Sequence, residues 1–186
     1  MTSLADLPIR DDLRGLVPYG APQKQVRLQL NVNENTHPIP EDVATDIVTA
    51  LARAVLGVNR YPDREFTELR ESLAQYLGHG LTRENLWAAN GSNEVIQQVL
   101  QAFGGPSRRA LGFPPTYSMH SIISKGTGTT WVTAERDADY RISTATVVAA
   151  IKREQPDVIF LCSPNNPTGT ALELETIEAA YDATEG

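Results

Sequence analysis

Three short stretches of the sequence combine small, rigid and amide-bearing residues in patterns that suit ligand binding. They are NGSNE at 90–94, FPPTYS at 113–118 and SPNNPTG at 163–169. Backbone amides at a turn can bind a phosphate, a stiffly held tyrosine can stack on a planar heteroaromatic ring, and an asparagine amide can donate to a phenolate oxygen. Each stretch therefore supplies one kind of binding chemistry.

In NGSNE a glycine and a serine stand where a helix is predicted to begin. Gly91 permits the turn, and Ser92 is predicted to be the N-cap, with its hydroxyl satisfying an amide of the first turn. The amides of Ser92, Asn93 and Glu94 would then point outward at the positive end of the helix dipole, where a phosphate fits. A plain turn and cap is the alternative.

The other two stretches hold one side chain each in a stiff loop. Tyr117 follows two prolines, so its ring is suited to be a stacking platform, although it could equally be a packed loop aromatic. Asn166 lies between Pro164 and Pro167, which favours a fixed, uncharged donor. A simple turn remains the alternative for this motif too.

Strand-like and helix-like segments alternate through the part of the chain that carries these loops. The predicted strands are LWAAN, RRALGF, TTWVTAE and DVIFLC, and the predicted helices are SNEVIQQVLQAF, TYSMHSIISKG, TATVVAAIKREQ and ELETIEAAYDA. This alternation predicts an α/β fold, a mainly parallel sheet with helices on both faces. In such sheets ligands bind at the carboxyl ends of the strands, which is where the three loops would lie.

The preceding part of the chain has a different character. Residues 1–36 are proline-containing and predicted to be an arm, with a short strand in VRLQLNVNEN. Apolar spacing predicts one helix over 40–57 and a second over 66–77 that ends at Gly78, with Tyr61 on the loop between them.

Composition excludes several classes of function. The 186 residues carry a formal net charge of −7 with acidic and basic residues interspersed, which argues against a nucleic-acid partner. A single cysteine, Cys162, excludes an internal disulfide framework and a cysteine-based zinc site. The sequence shows neither a signal peptide nor a membrane-spanning stretch, so a cytoplasmic protein is expected.

The histidines show no catalytic pattern. His37, His79 and His120 lack the spacing of a metal site or a catalytic pair, so surface or packing roles are expected and no metal site is predicted.

Taken together, the motifs carry a resemblance to a known family. SPNNPTG, YPD, NGSNEVIQQVLQAF and PPTYSMH resemble the pyridoxal-phosphate enzymes of fold type I, and among them the histidinol-phosphate aminotransferases in their actinobacterial form. VPYGAPQ and LNVNEN are similar to the arm of that family. The resemblance runs over nearly the whole chain, whereas NPTG alone would indicate only the wider aminotransferase class.

The resemblance implies roles for residues already singled out. The amides around Gly91, Ser92 and Asn93 would hold the phosphate of pyridoxal 5'-phosphate, Tyr117 would stack on its pyridine ring, and Asn166 would bond to its 3'-oxygen. The chain would accordingly be the partial large domain, 37–186, of such an enzyme.

The resemblance also implies a homodimer and small-molecule substrates, histidinol phosphate and 2-oxoglutarate. Tyr61 would reach from the partner subunit towards the cofactor phosphate and the substrate, while Tyr19 and Asn33 would close over the substrate. Thr36 departs from the proline common in the family, which weakens the assignment of Asn33.

The catalytic residues cannot be assigned from this sequence. The resemblance implies a Schiff-base lysine, a pyridine-nitrogen aspartate and substrate-binding arginines beyond Gly186, so the chain by itself is expected to be inactive. Two alternatives stay open: another fold type I aminotransferase that acts on an aromatic or phosphorylated amine, and a non-catalytic fragment that retains part of the cofactor pocket.

Overall fold

A computed structural model describes residues 6–17, 20, 25–28 and 33–184. Contacts divide the chain into two compact units, one of Met1–Val17 with Ala89–Gly186 and one of Pro18–Ala88. The predicted division into an arm, 1–36, and a partial large domain, 37–186, stays a prediction, because contacts divide the chain by compactness and not by role.

The described residues form six α-helices and three β-strands. The helices are α1 Glu41–Ala54, α2 Thr67–Leu77, α3 Ser92–Phe103, α4 Ser118–Gly126, α5 Thr144–Glu154 and α6 Leu174–Asp182; the strands are β1 Arg109–Gly112, β2 Thr130–Thr133 and β3 Val158–Ile159. Among these residues no helix is both long and apolar enough to cross a membrane, and no cluster of potential metal ligands occurs.

The first unit is built on a parallel sheet in the order β2-β1-β3. Leu111 of the central strand pairs with Val132 on one side and Ile159 on the other, and these residues belong to a core that α5 and α6 cover. On the opposite face, His120 of α4 stacks on Phe160. Helices therefore cover both faces, as predicted.

A close approach on the α4 side explains a glycine in the central strand. A Cβ at Gly112 would lie 2.1 Å from the Trp131 side chain, so a side chain at this position would displace the indole ring. Because Gly112 has no Cβ, the Trp131 side chain of β2 can pack directly against β1 on that face of the sheet.

Two predicted strands differ from the structure. The stretch LWAAN forms no strand in the described part of the chain, because strand formation requires a neighbouring strand and none lies beside it. The stretch DVIFLC pairs as a strand only at Val158 and Ile159, although the Phe160 backbone amide still donates to the Leu111 carbonyl at 2.9 Å.

The second unit contains α1 and α2. The predicted helix over 40–57 is α-helical to Ala54 and continues as a 3-10 turn, Val55–Gly57. Helix α2 ends at Gly78, whose φ of +71° favours glycine. Residues 26–28 are not a strand, and the remainder of that predicted strand to 32 lies outside the described residues.

A buried arginine organises the end of the second unit. Arg70 of α2 is 8% exposed and donates two hydrogen bonds to the Arg83 carbonyl at 2.7 and 3.0 Å. Its guanidinium also lies 5.5 Å from the centre of the Trp87 ring. These contacts hold the turn after α2 against the helix.

Candidate functional site

The start of α3 presents free backbone amides, although not through the predicted cap. Gly91 is the N-cap, with φ +81°, and no side chain caps the helix, so the prediction that Ser92 is the N-cap is wrong. Glycine adopts this backbone conformation without strain, which lets Ser92 enter the helix. Ser92 and Asn93 are exposed, and as first-turn residues their backbone N–H groups have no acceptor within the helix, at the positive end of its dipole.

A carboxylate stabilises the turn before α3. The Glu94 carboxylate accepts a hydrogen bond from the backbone amide of Asn90 at 2.5 Å. This bond reaches back beyond the N-cap and does not occupy the amides of Ser92 and Asn93. The amides of the first turn thus stay available to an anion.

Tyr117 connects the second loop to the first. Its hydroxyl donates to Asn93 Oδ1 at 3.0 Å, and it immediately precedes α4. Two residues that were predicted to bind parts of one ligand are therefore in direct contact. The side chain is half-buried, so part of its surface remains open to a ligand.

His120 packs against the ring of Tyr117. Its imidazole meets the Tyr117 ring edge to face at 5.4 Å and stacks on Phe160 at 4.4 Å with 15° between the planes. It is 7% exposed, and its Nδ1 has no hydrogen-bond partner among the described residues. Burial lowers the pKa of His120, which keeps the imidazole neutral and suits it to packing.

The third loop uses its two asparagines differently. Asn165 is 3% exposed; its Nδ2 donates to the Pro115 carbonyl at 3.0 Å and to Thr168 Oγ1 at 2.7 Å. Asn166 is half-buried, and within the described part of the chain its amide makes no hydrogen bond. Asn165 thus anchors the loop to the second loop, and the Asn166 amide stays available.

Arg136, which no sequence motif marked, connects the segments that follow all three strands. Its Nε donates to the Phe113 carbonyl at 2.8 Å, one terminal nitrogen to Asn165 Oδ1 at 2.8 Å, and the other to the Tyr140 carbonyl at 3.0 Å. Desolvation by burial lowers the pKa of this guanidinium, and an electrostatic interaction with Cys162 partly offsets that effect. The one sequence signal for Arg136 is its position just after a predicted strand, which places it near the carboxyl ends of the strands, where ligands bind in such sheets.

The remaining predicted residues lie in the second unit or outside the described residues. Tyr61 and Asn33 belong to the second unit, where Tyr61 is fully exposed and Asn33 has φ +52°. Tyr19 lies outside the described residues. Their roles stay predictions.

The lysines lie away from the three loops. Lys125 is in the last turn of α4 and Lys152 in the last turn of α5, which lead into the amino ends of β2 and β3. Lys24 lies outside the described residues. Among the residues that the structure describes, no lysine therefore lies at the carboxyl ends of the strands.

Comparisons with known proteins agree on one family. The family described as Aminotransferase class I and II matches residues 26–186. Histidinol-phosphate aminotransferase of Paenarthrobacter aurescens is 60% identical over 96% of this chain and 48% of its own length, and that of Thermobifida fusca is 58% identical over 99% and 50%. The chain thus spans about half the length of these relatives.

A solved structure shows the same fold. Histidinol-phosphate aminotransferase from Sinorhizobium meliloti, in complex with pyridoxal-5'-phosphate, matches with a TM-score of 0.64 at 23% identity, over 74% of this chain and 36% of that chain.

Proposed function

Since the chain belongs to the class I and II aminotransferases, we propose that its three loops bind pyridoxal phosphate. The observation that carries this proposal is the 3.0 Å hydrogen bond from Tyr117 to Asn93. It places a half-buried aromatic ring beside exposed amides at the start of a helix, which are the two groups that a phosphorylated heteroaromatic ring requires.

The residues present fit that cofactor. The amides around Gly91, Ser92 and Asn93 would hold the phosphate, and Tyr117 would stack on the ring. Asn166, whose amide makes no described hydrogen bond, would donate to the 3'-oxygen. When bound, pyridoxal phosphate supplies the electron sink for amino-group transfer. The residues of this chain bind and orient it, and the donor at Asn166 stabilises negative charge on the oxygen it faces.

We extend the proposal to the whole protein as a histidinol-phosphate aminotransferase of histidine biosynthesis, with 2-oxoglutarate as amino acceptor. Two relatives of that name, 60% and 58% identical to this chain, support it. It includes a homodimer in which Tyr61 reaches the neighbouring active site, with Tyr19 and Asn33 at the substrate. A cytoplasmic location is part of the same proposal and is supported by the single cysteine.

Substrate preference tests this assignment. The full-length protein should transaminate histidinol phosphate much faster than aromatic amino acids or aspartate at matched concentrations, because Tyr19, Asn33 and Tyr61 are assigned to a phosphorylated amine. Initial rates with 2-oxoglutarate as acceptor measure the preference. A clear preference for an unphosphorylated amino acid would reject the substrate and leave the aminotransferase class standing.

A further inference from the structure

Arg136 bonds to both the second and the third loop, which Asn165 also joins directly through the Pro115 carbonyl. It follows β2, yet it bonds to Phe113 after β1 and to Asn165 after β3. A planar guanidinium with five donors can bond to several acceptors in fixed directions at once. Arg136 therefore adds a second link, in fixed directions, to the direct bond between the second and third loops.

The described hydrogen bonds of Arg136 all go to neutral oxygens. Besides those on Phe113 and Asn165, the acceptors are the Tyr140 carbonyl at 3.0 Å and Thr170 Oγ1 at 3.4 Å. A surface arginine whose role is charge balance would pair with a carboxylate, as Arg108 does with Asp157 at 2.8 Å. The contacts of Arg136 indicate that its role is geometric.

Asn165 links Arg136 to the next residue in the third loop, Asn166. Its Oδ1 accepts from Arg136, its Nδ2 donates to Pro115, and its backbone amide donates to the Thr170 carbonyl at 2.8 Å. Without the Arg136 donor, a buried amide oxygen would lose its partner, and the loop would have to move to satisfy it. The next residue along the chain is Asn166, so any such movement shifts its amide.

We propose that Arg136 is a positioning residue that acts through Asn165 to hold the Asn166 amide in place for the 3'-oxygen of the cofactor. This inference rests on the proposed function, since it requires that pyridoxal phosphate occupies the three loops. It assigns to Asn165 the anchoring of the loop and to Asn166 the contact with the ligand.

The test is a pH titration of the cofactor absorbance in the full-length holoenzyme. Asn166→Ala removes a donor that stabilises the negative oxygen, so the spectral midpoint should rise by about one pH unit. Arg136→Gln should raise it in the same direction by about half a unit or more. In the Asn166→Ala background, Arg136→Gln should add no further shift, because both changes remove the same contact.

Two further variants separate position from charge and from general destabilisation. Arg136→Lys keeps the positive charge but cannot bridge the same acceptors, so its midpoint should also rise. Arg108→Gln removes an arginine that ties β1 to Asp157 near the other end of the strand, and it should leave the midpoint unchanged.

Each outcome decides a separate point. A wild-type midpoint in Arg136→Lys, beside a shifted midpoint in Arg136→Gln, would assign the effect to charge and overturn the positioning role. Additive shifts in the double variant would overturn the route through Asn166. If the wild-type protein bound no pyridoxal phosphate, the proposed function itself would fail. If the cofactor binds and Asn166→Ala shifts the spectral midpoint, but the Arg136 variants keep the wild-type midpoint, this inference alone would fail.

Discussion

Tyr117 makes two contacts through chemically different parts of one side chain. Its ring packs perpendicular to the His120 imidazole and its hydroxyl donates to Asn93, so it joins the start of α4 to the first turn of α3. Because the hydroxyl bond fixes the ring relative to the amides of α3, a ligand that stacks on Tyr117 would meet those amides in a defined geometry. Ring and hydroxyl should therefore contribute separately to binding.

Substitutions at Tyr117 should reveal both contributions. Tyr117→Phe should weaken pyridoxal phosphate binding only a few-fold, because a neutral hydrogen bond contributes about 1 kcal/mol. Tyr117→Leu also removes the ring and should weaken binding by about tenfold or more, as loss of aromatic stacking does. Fluorescence titration of the full-length protein with the cofactor measures both.

Tyr181→Phe is the matched control, since Tyr181 lies on α6 and is 73% exposed. It should bind as wild type does. Wild-type affinity in Tyr117→Leu would show that this ring is not the stacking platform.

At the scale of elements, α4 meets the chain after β3 through stacked rings. His120 lies between Tyr117 and Phe160, so one imidazole supports the platform and covers the sheet. Because the pKa of His120 is lowered by burial, its neutral form is favoured in the folded protein. Protonation would place a charge where Nδ1 has no described partner.

Stability should accordingly depend on pH through His120. The contribution of the neutral imidazole is fully present above the ordinary histidine pKa of 6.5 and is lost as the pH falls below it towards the lowered, folded-state pKa. His120→Phe keeps a stacking ring without a titrating group, so the loss of unfolding free energy between neutral and mildly acidic pH should be smaller than in wild type. Denaturant unfolding at a series of pH values measures this difference.

His37→Gln removes an exposed histidine and serves as the control, with the pH dependence of wild type. An identical pH dependence in His120→Phe and wild type would contradict the assigned role of the buried ring.

In the molecule as a whole, the three candidate binding loops all lie in the first unit. The loops after β1 and β3, the start of α3 and Arg136 all belong to it, while Tyr61 and Asn33 belong to the second unit. In the second unit, the apolar residues of α1 remain exposed, with Ile47 at 51% and Leu51 at 61%. The groups proposed to bind and orient the cofactor at the three loops thus have no described lysine beside them.

The 186-residue chain should consequently form no stoichiometric covalent link to pyridoxal phosphate. Lys125 and Lys152 lie in the last turns of α4 and α5, at the opposite edge of the sheet from the three loops. Borohydride reduction after incubation with the cofactor, followed by peptide mapping, should show only partial and scattered labelling. One lysine labelled in full, together with turnover of histidinol phosphate, would contradict this placement.

Local patterns in the sequence were sufficient to predict the helices and the positions of the three loops. Helix α3 spans Ser92–Phe103, the stretch that apolar spacing predicts, and α2 ends at the predicted Gly78. Helical periodicity, bordering glycines and X-Pro steps act over a few residues, so a local pattern carries this information. The same patterns indicated the parallel α/β fold, because the order of elements restricts how a sheet can form.

The contacts that hold the loops in place, in contrast, join residues far apart in the sequence. The motif SPNNPTG predicted a binding role for Asn166, but the anchoring role of the adjacent Asn165 appears only in the folded structure. Arg136 lies 29 residues before the Asn165 it binds, and the strand at Val158–Ile159 forms by pairing with the distant strand β1. Hydrogen bonds and strand pairs between distant residues depend on the folded arrangement, which no single stretch of the sequence records.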